Sequence, residues 1–167
     1  MQLELIDRIV TADDGFVATI TSTTGHTYQK AGARALFRAG DAFPVFGNLG
    51  SLCADQELLR HGAEAEKTGR PQRVRIDTTD ETDALTGYGT ACGGAMEVLI
   101  EPVQARSREI YRVLGERMRA GEETWLVHDL ATGELTLAME EPAPGDGTHV
   151  EHILPPRRAV ILSLIHI

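Results

Sequence analysis

The sequence lacks the features that mark disulfide-rich, membrane-spanning and nucleic-acid-binding proteins. Its only cysteines, Cys53 and Cys92, are too few for a disulfide framework, so we expect free thiols in a reducing cytoplasm. Sixteen Lys and Arg against 25 Asp and Glu give a formal charge of -9, which argues against a general nucleic-acid binder. No secretory signal opens the chain, and the apolar run at 159–167 is too short to span a bilayer.

Common catalytic and metal-binding motifs are missing as well. The six histidines form no H-E-x-x-H pattern and are not paired with cysteine at zinc spacing. His149 and His152 lie three residues apart, which is weak support for a metal site. We find no Ser-His-Asp signature and no G-x-S-x-G elbow. A small anionic ligand is compatible with the negative total charge, because backbone N–H groups can hold a phosphate locally.

The 167 residues, 42% of them hydrophobic, suffice for one domain with a core. Apolar periodicity predicts three helices, at 1–10, about 52–68 and about 103–120. It predicts seven strands, at 16–22, 33–37, 43–46, 73–77, 95–101, 124–130 and 134–139. Because strands outnumber helices and two helices lie between strands, we predict an α/β fold, a single domain with a mixed β-sheet and helices packed on it.

The first candidate for a functional residue is Cys53. It falls in the first turn of a predicted helix, where unpaired N–H groups and the helix dipole suit anions and lower the pKa of a thiol. Asp55 and Glu57 oppose that effect. The structural alternative is a small buried cysteine that packs as a hydrophobe.

A glycine-rich segment, 87–94, is the second candidate. Such glycines allow positive φ and close approach to a ligand, and their N–H groups can form an anion-binding nest. The alternative is a tight connection into the next strand. Because the segment precedes a strand, it is neither a Walker A loop nor a Rossmann fingerprint, both of which open a helix. Its members of interest are Gly89, Cys92, Gly93 and Gly94.

The third candidate is the basic turn at 25–34. Lys30 and Arg34 could face a phosphate or pterin oxygen, and Arg could do so through two parallel hydrogen bonds. A solvated basic turn is the alternative. The sequence alone leaves both interpretations open.

Together these segments resemble the XdhC/CoxI family. The strand at 17–20, with Gly25 and K-A-G-A-R at 30–34, is similar to the family's opening strand and K-x-G-A-R-like turn. The segment at 47–55 stands where the family has an S-G-G-C-L-E-like sequence, although here G-S-L precedes the cysteine and Asp55 replaces the usual Glu. C-G-G followed by E-V-L-I-E-P, within 92–102, is the most specific match.

The resemblance implies an accessory protein that binds molybdenum cofactor (molybdopterin) as cargo. It would be a chaperone without turnover, located in the cytoplasm, that delivers the cofactor to a molybdenum hydroxylase such as xanthine dehydrogenase or carbon monoxide dehydrogenase. A cysteine desulfurase is a second implied partner, a homodimer is compatible, and neither nucleic acid nor membrane is expected. In this picture Cys53 contacts the molybdenum, and the other cofactor-binding residues are Lys30, Arg34, Gly89, Cys92, Gly93 and Gly94.

Two other functions stay open. In one, the protein transfers sulfur to the cofactor and Cys53 or Cys92 carries a persulfide, which requires the thiol to act as a nucleophile. In the other, the chain is an interaction module whose ligand site has decayed. The departures from the family pattern around Cys53 are compatible with such a decayed ligand site.

The resemblance also predicts a division of the chain. Residues 1–140 would form the cofactor-binding domain, and 141–161 a linker and the first strand of a Rossmann domain that is missing, so we expect the natural protein to continue past Ile161. Residues 162–167 look like the translation of an adapter used to prepare sequencing libraries, with a genuine terminal strand as the alternative.

Overall fold

A computed structural model describes residues 2–38, 40–50, 52–77, 93–143, 145 and 147–156. Within them no helix is long and apolar enough to cross a membrane. The order of elements confirms the predicted α/β class. The helices and strands are α1 (Gln2–Thr11), β1 (Phe16–Gly25), β2 (Arg34–Phe37), β3 (Phe46–Gly47), α2 (Leu52–Thr68), β4 (Gln72–Asp77), β5 (Gly94–Pro102), α3 (Ala105–Ala120), β6 (Thr124–Asp129), β7 (Leu135–Ala138) and β8 (Thr148–Ile153).

The strands divide between two antiparallel sheets instead of lying in one mixed sheet. Five strands are ordered β3-β2-β1-β5-β4 and three are ordered β7-β6-β8. A parallel pair requires a crossover that returns to the same sheet beside the first strand. Here α2 joins β3 to β4, which form opposite edges of the larger sheet, and α3 joins β5 to β6, which belong to different sheets. Neither helix therefore creates a parallel pair.

The larger sheet is covered on both faces. Because side chains alternate along a strand, Phe16, Ala18 and Ile20 of β1 face α2, where Leu58 and other buried residues complete one apolar cluster. Val17 belongs to a second cluster on the opposite face, formed with α1, α3 and the smaller sheet. The apolar cores of the domain thus lie on either side of β1.

The largest departure from the predicted elements is β8. Thr148–Ile153 falls in the predicted linker, yet it pairs with β6 along its whole length, from Thr124↔Ile153 to Asp129↔Thr148. Its sequence, T-H-V-E-H-I, contains too many polar residues to show the alternation of a strand. The proposed division into domains remains a prediction, and 157–167, with the adapter-like hexapeptide, lies outside the described residues.

The third strand is shorter and later than predicted. The strand expected at 43–46 is found at Phe46–Gly47, and the Phe43 side chain is 61% exposed. Pro44 has no N–H group to donate to a neighbouring strand, so a pairing that began at 43 would be interrupted at its second residue.

Candidate functional site

Two of the predicted site segments meet at one end of the larger sheet. There β1 ends at Gly25, which pairs with Gly94 at the start of β5. The two strands approach so closely that a Cβ at position 94 would lie 2.2 Å from the carbonyl oxygen of His26. A Cβ at position 25 would lie 2.5 Å from the carbonyl oxygen of Gly93. The predicted glycine segment therefore begins its strand directly against the basic turn.

The start of α2 lies at the same end of the sheet. The other end of the helix is fixed near the beginning of β1, because the Gly15 N–H donates to Glu66 Oε1 over 2.8 Å. Just before the helix, a Cβ at Gly50 would lie 3.6 Å from Met96 Cε in β5, two residues after Gly94. The backbone of Cys53 thus begins α2 beside the first residues of β5.

Part of the predicted site lies outside the described residues. This applies to Gly89, to Cys92 and to the side chain of Cys53. Their roles as ligands stay predictions. Asp55, in the first turn of α2, is buried, and burial raises the pKa of its carboxyl.

The basic turn is closed by hydrogen bonds to β1 and within the turn itself. The Gly32 N–H donates to the carbonyl of Ile20 over 2.8 Å, and Lys30 Nζ donates to Thr27 Oγ1 over 3.3 Å. Lys30 is exposed, so its charge is accessible from solvent. The two basic residues of this turn differ sharply in exposure, because the Arg34 side chain is buried.

Beside the turn is a cavity of about 370 Å³, between α1, β3 and the start of β2. Within the described part of the chain, Arg34 Nε has no hydrogen-bond partner. Asn48 links the cavity wall to the segment leading into α2, because its Oδ1 accepts the Gly50 N–H over 2.9 Å. The cavity is lined by Gln2, Leu5, Gln29, Gly32, Ala33, Arg34, Phe46, Gly47 and Asn48.

Arg34 belongs to a buried polar network that sequence reasoning did not predict. Its guanidinium Nη2 forms an ion pair with Glu151 of β8 and lies 3.3 Å from His128 Nε2 in β6. The Arg34 and Glu151 side chains are only 5% and 10% exposed. Hence Arg34 connects the larger sheet to the smaller one, on the face opposite α2. The other members of the network are Glu101, Tyr111 and His149.

His128 lies between two carboxylates. Its Nδ1 is 3.2 Å from Glu101 Oε2 and its Nε2 is 3.3 Å from Glu151 Oε1. Burial disfavours the charged imidazole, as does the nearby charge of Arg34, but the two carboxylates outweigh both and raise the pKa of His128. Burial likewise opposes ionisation of Glu151, yet hydrogen bonds from His128 and His149 and the charge of Arg34 hold its pKa well below the ordinary range.

One sequence signal could have revealed this network. Glu101 is the more deeply buried of the two glutamates in the apolar strand β5, and it pairs with buried Val17. His128 occupies a buried position in the alternating pattern of β6. Charged or titratable residues at such positions are rarely unpaired. Their partners could not be found, because β8, which supplies Glu151, had no recognisable pattern.

The spacing of His149 and His152 does not create a metal site. His149 Nε2 lies 3.3 Å from Glu151 Oε1 inside the network, whereas His152 stacks on Trp125 with ring centroids 4.4 Å apart. Among the residues described, no group of three or more His, Cys, Asp and Glu side chains could hold a metal ion.

Comparisons with known proteins confirm the family resemblance. Residues 11–77 match the model of the XdhC and CoxI family. The chain is 24% identical over 110 residues to a protein of Bacillus subtilis (strain 168) described as a probable subunit of xanthine dehydrogenase, covering 66% of this chain and 33% of that protein. A crystal structure described as a xanthine dehydrogenase from Bacillus halodurans shares the fold, with TM-score 0.76 and 23% identity.

The chain is much shorter than these relatives. It spans a third of the Bacillus subtilis protein. The match to the solved structure covers 92% of this chain and 53% of the other.

Proposed function

We propose that this chain is an accessory protein that binds molybdenum cofactor and delivers it to a molybdenum hydroxylase such as xanthine dehydrogenase. Its residues 11–77 match the model of the XdhC and CoxI family. The observation that supports the proposal is the meeting of the basic turn, the Gly93–Gly94 strand start and the segment before α2 at one end of the larger sheet. The names of the two relatives agree with a role connected to xanthine dehydrogenase.

The residues of the basic turn and of the start of α2 suit a ligand with an anionic end. Lys30 is an exposed cation. Arg34 contributes a buried Nε without a hydrogen-bond partner among the described residues, in the side chain that lines the cavity. N–H groups at the start of α2 favour negative charge, and the same field would favour the thiolate of Cys53. In the proposal, Cys53 contacts the molybdenum, while Gly89, Cys92, Gly93 and Gly94 surround the pterin and phosphate.

The proposed role requires no chemical turnover. The chain holds the cofactor, shields it and releases it to the partner, so Cys53 acts as a ligand. If Cys53 or Cys92 instead accepted sulfur from a cysteine desulfurase, the thiol would act as a nucleophile and the purified protein would carry a persulfide. Intact mass before and after reduction separates the two roles, because only a persulfide loses a sulfur atom on reduction.

The test is purification of the protein from cells that make the cofactor, followed by pterin fluorescence after oxidation and by molybdenum analysis. We expect wild type to retain pterin and molybdenum, and Cys53→Ala to lose both while its thermal midpoint stays within a few degrees of wild type. Cys92→Ala should have a milder effect. Glu64→Ala, on the exposed face of α2, is the matched control. Normal retention by Cys53→Ala would overturn the assignment of this residue.

A further inference from the structure

The buried network suggests a role for the smaller sheet at the proposed ligand site. We infer that Glu151 of β8 and His128 of β6 are positioning residues: Glu151 holds the Arg34 guanidinium at the cavity wall, and protonated His128 holds Glu151 by donating from Nε2. The inference rests on the proposed function only in taking this cavity as part of the ligand site. The positioning itself follows from contacts between described side chains.

The first support is geometric. Arg34 begins β2, at the edge of the cavity, but the groups that contact its guanidinium Nη2 come from the other sheet. Glu151 takes one side of the guanidinium in an ion pair, and the imidazole of His128 lies 3.3 Å from the same nitrogen. With the side chain 5% exposed, water cannot replace these contacts, so the smaller sheet determines where the charge of Arg34 lies.

The second support is charge balance. Arg34 is the fixed cation of the network, and Glu101 and Glu151 are its two carboxylates. A protonated His128 brings the sum of these four groups to zero, whereas a neutral His128 leaves one buried negative charge in excess. Uncompensated charge is costly in an interior, so the arrangement favours the protonated imidazole.

All elements packed around His128 contribute to this balance. Glu101 approaches from β5 and Arg34 from β2. From β8 come Glu151 and His149, and the two imidazole rings have centroids 5.7 Å apart. Tyr111 of α3 faces Arg34, and burial raises the pKa of its hydroxyl, so it adds no negative charge near neutrality.

The protonation state of His128 affects ligand binding at the cavity. When His128 loses its proton, the two carboxylates are balanced by Arg34 alone, and the network carries one net negative charge. The potential at the cavity wall then becomes more negative, which weakens attraction for an anionic ligand. The proposed site should therefore hold its cargo better below the folded pKa of His128 than above it.

The decisive experiment needs no ligand. The imidazole nitrogens of His128 and the Nε–H of Arg34 are followed by NMR through a pH titration of wild type, Glu101→Gln, Glu151→Gln and the control His152→Gln. His152 is on the same strand as Glu151 but half exposed, and it contacts Glu123. We expect His128 to titrate above the ordinary value of about 6.5 in wild type and His152→Gln, and lower in both Gln variants.

The Arg34 signal tests positioning directly. Its Nε–H should be rigid in wild type and become mobile in Glu151→Gln, which lacks the ion pair. An imidazole that titrates at or below the ordinary value would overturn the inference, as would a guanidinium equally rigid in Glu151→Gln. If Glu151→Gln fails to fold, the wild-type titration and Glu101→Gln still decide the question.

Cofactor retention then separates this inference from the proposed function. We expect Glu151→Gln to retain about tenfold less pterin than wild type, because the charge-assisted contact between Glu151 and Arg34 is lost. We expect pterin retention by His128→Gln to lose its pH dependence. Equal retention and equal pH profiles in all variants would overturn control of the site by the network while leaving the function intact. No retention by wild type at any pH would overturn the function, and the NMR result would still decide whether Arg34 is held in place.

Discussion

The ring of Phe16 in β1 lies directly against Gly62 in α2. A Cβ at position 62 would be only 2.0 Å from Phe16 Cε1, so the helix rests on the sheet through a position that has no side chain. Phe16 cannot easily move, because it is fully buried and stacks on Phe37 with ring centroids 5.0 Å apart. This contact fixes the distance between α2 and the sheet, and with it the place where the helix begins.

We predict that Gly62→Ala destabilises the fold. Alanine favours a helix over glycine by about 1 kcal/mol. Overpacking a rigid core costs about 1–3 kcal/mol, and this clash is severe enough to reach the upper part of that range. The net loss should appear in urea unfolding. Glu64→Ala, which gives a similar helix former on the exposed face of α2, is the control. A Gly62→Ala variant more stable than wild type would show that the helix can shift freely.

The two glycines that begin β5 should respond differently to alanine. At Gly94 a Cβ would clash with a backbone carbonyl, that of His26, and we expect Gly94→Ala to cost about 3 kcal/mol, at the top of the overpacking range. At Gly93 no atom lies within 4 Å, but φ is +62°, so Gly93→Ala should cost only about 1–2 kcal/mol of backbone strain. Chemical denaturation of both variants tests the order, which the reverse ranking would contradict.

Local patterns predicted the elements of the fold well. The apolar alternation of β1 and β5 and the periodicity of α2 and α3 gave strands and helices close to their observed bounds. The arrangement into two antiparallel sheets could not be predicted, because no local pattern shows whether the two strands joined by a helix are neighbours in one sheet. β8 was missed because most of its residues are polar. The Glu151 side chain among them is only 10% exposed, and its partner Arg34 comes from the other sheet.

The site was predicted less completely than the fold. Glycines mark close approaches of the backbone. The glycine-rich segment predicts an approach to a ligand at Gly94, which stays a prediction, and the close neighbour in the structure is the carbonyl of His26. Arg34 was singled out as a cation for a ligand, but its internal partner, Glu151, is 117 residues away in sequence. Pairing at such separation depends on tertiary structure and has no local signature.

Acid should remove the contribution of Glu151 to stability. The folded pKa of this carboxyl is below its unfolded value of about 4.3, so the stabilisation is complete above that value and is lost as pH falls through the folded pKa. The difference in free energy of unfolding between wild type and Glu151→Gln should therefore shrink below about pH 4. Urea unfolding at a series of pH values measures it, with Glu64→Gln as the exposed control. A difference that stays constant down to the lowest pH would contradict the assigned shift.

Replacing Arg34 should be far more costly than replacing an exposed arginine. Arg34→Met leaves Glu151 without its fixed cation in the interior, which costs about 3–5 kcal/mol when one partner of a buried pair is removed. Arg112→Met removes two contacts on the surface of α3, with Glu109 and Glu116, and should leave the thermal midpoint nearly unchanged.

The double variant Arg34→Met/Glu151→Leu separates loss of packing from loss of charge balance. Removing both charges leaves protonated His128 paired with Glu101 alone, so the interior is again neutral. Apolar residues in place of a buried ion pair are often tolerated, because the cost of desolvating both charges is no longer incurred. We therefore expect the double variant to unfold at a higher urea concentration than Arg34→Met. If instead the two losses simply add, the network does not act as a balanced unit, and Arg34 stabilises the fold chiefly through the packing of its side chain.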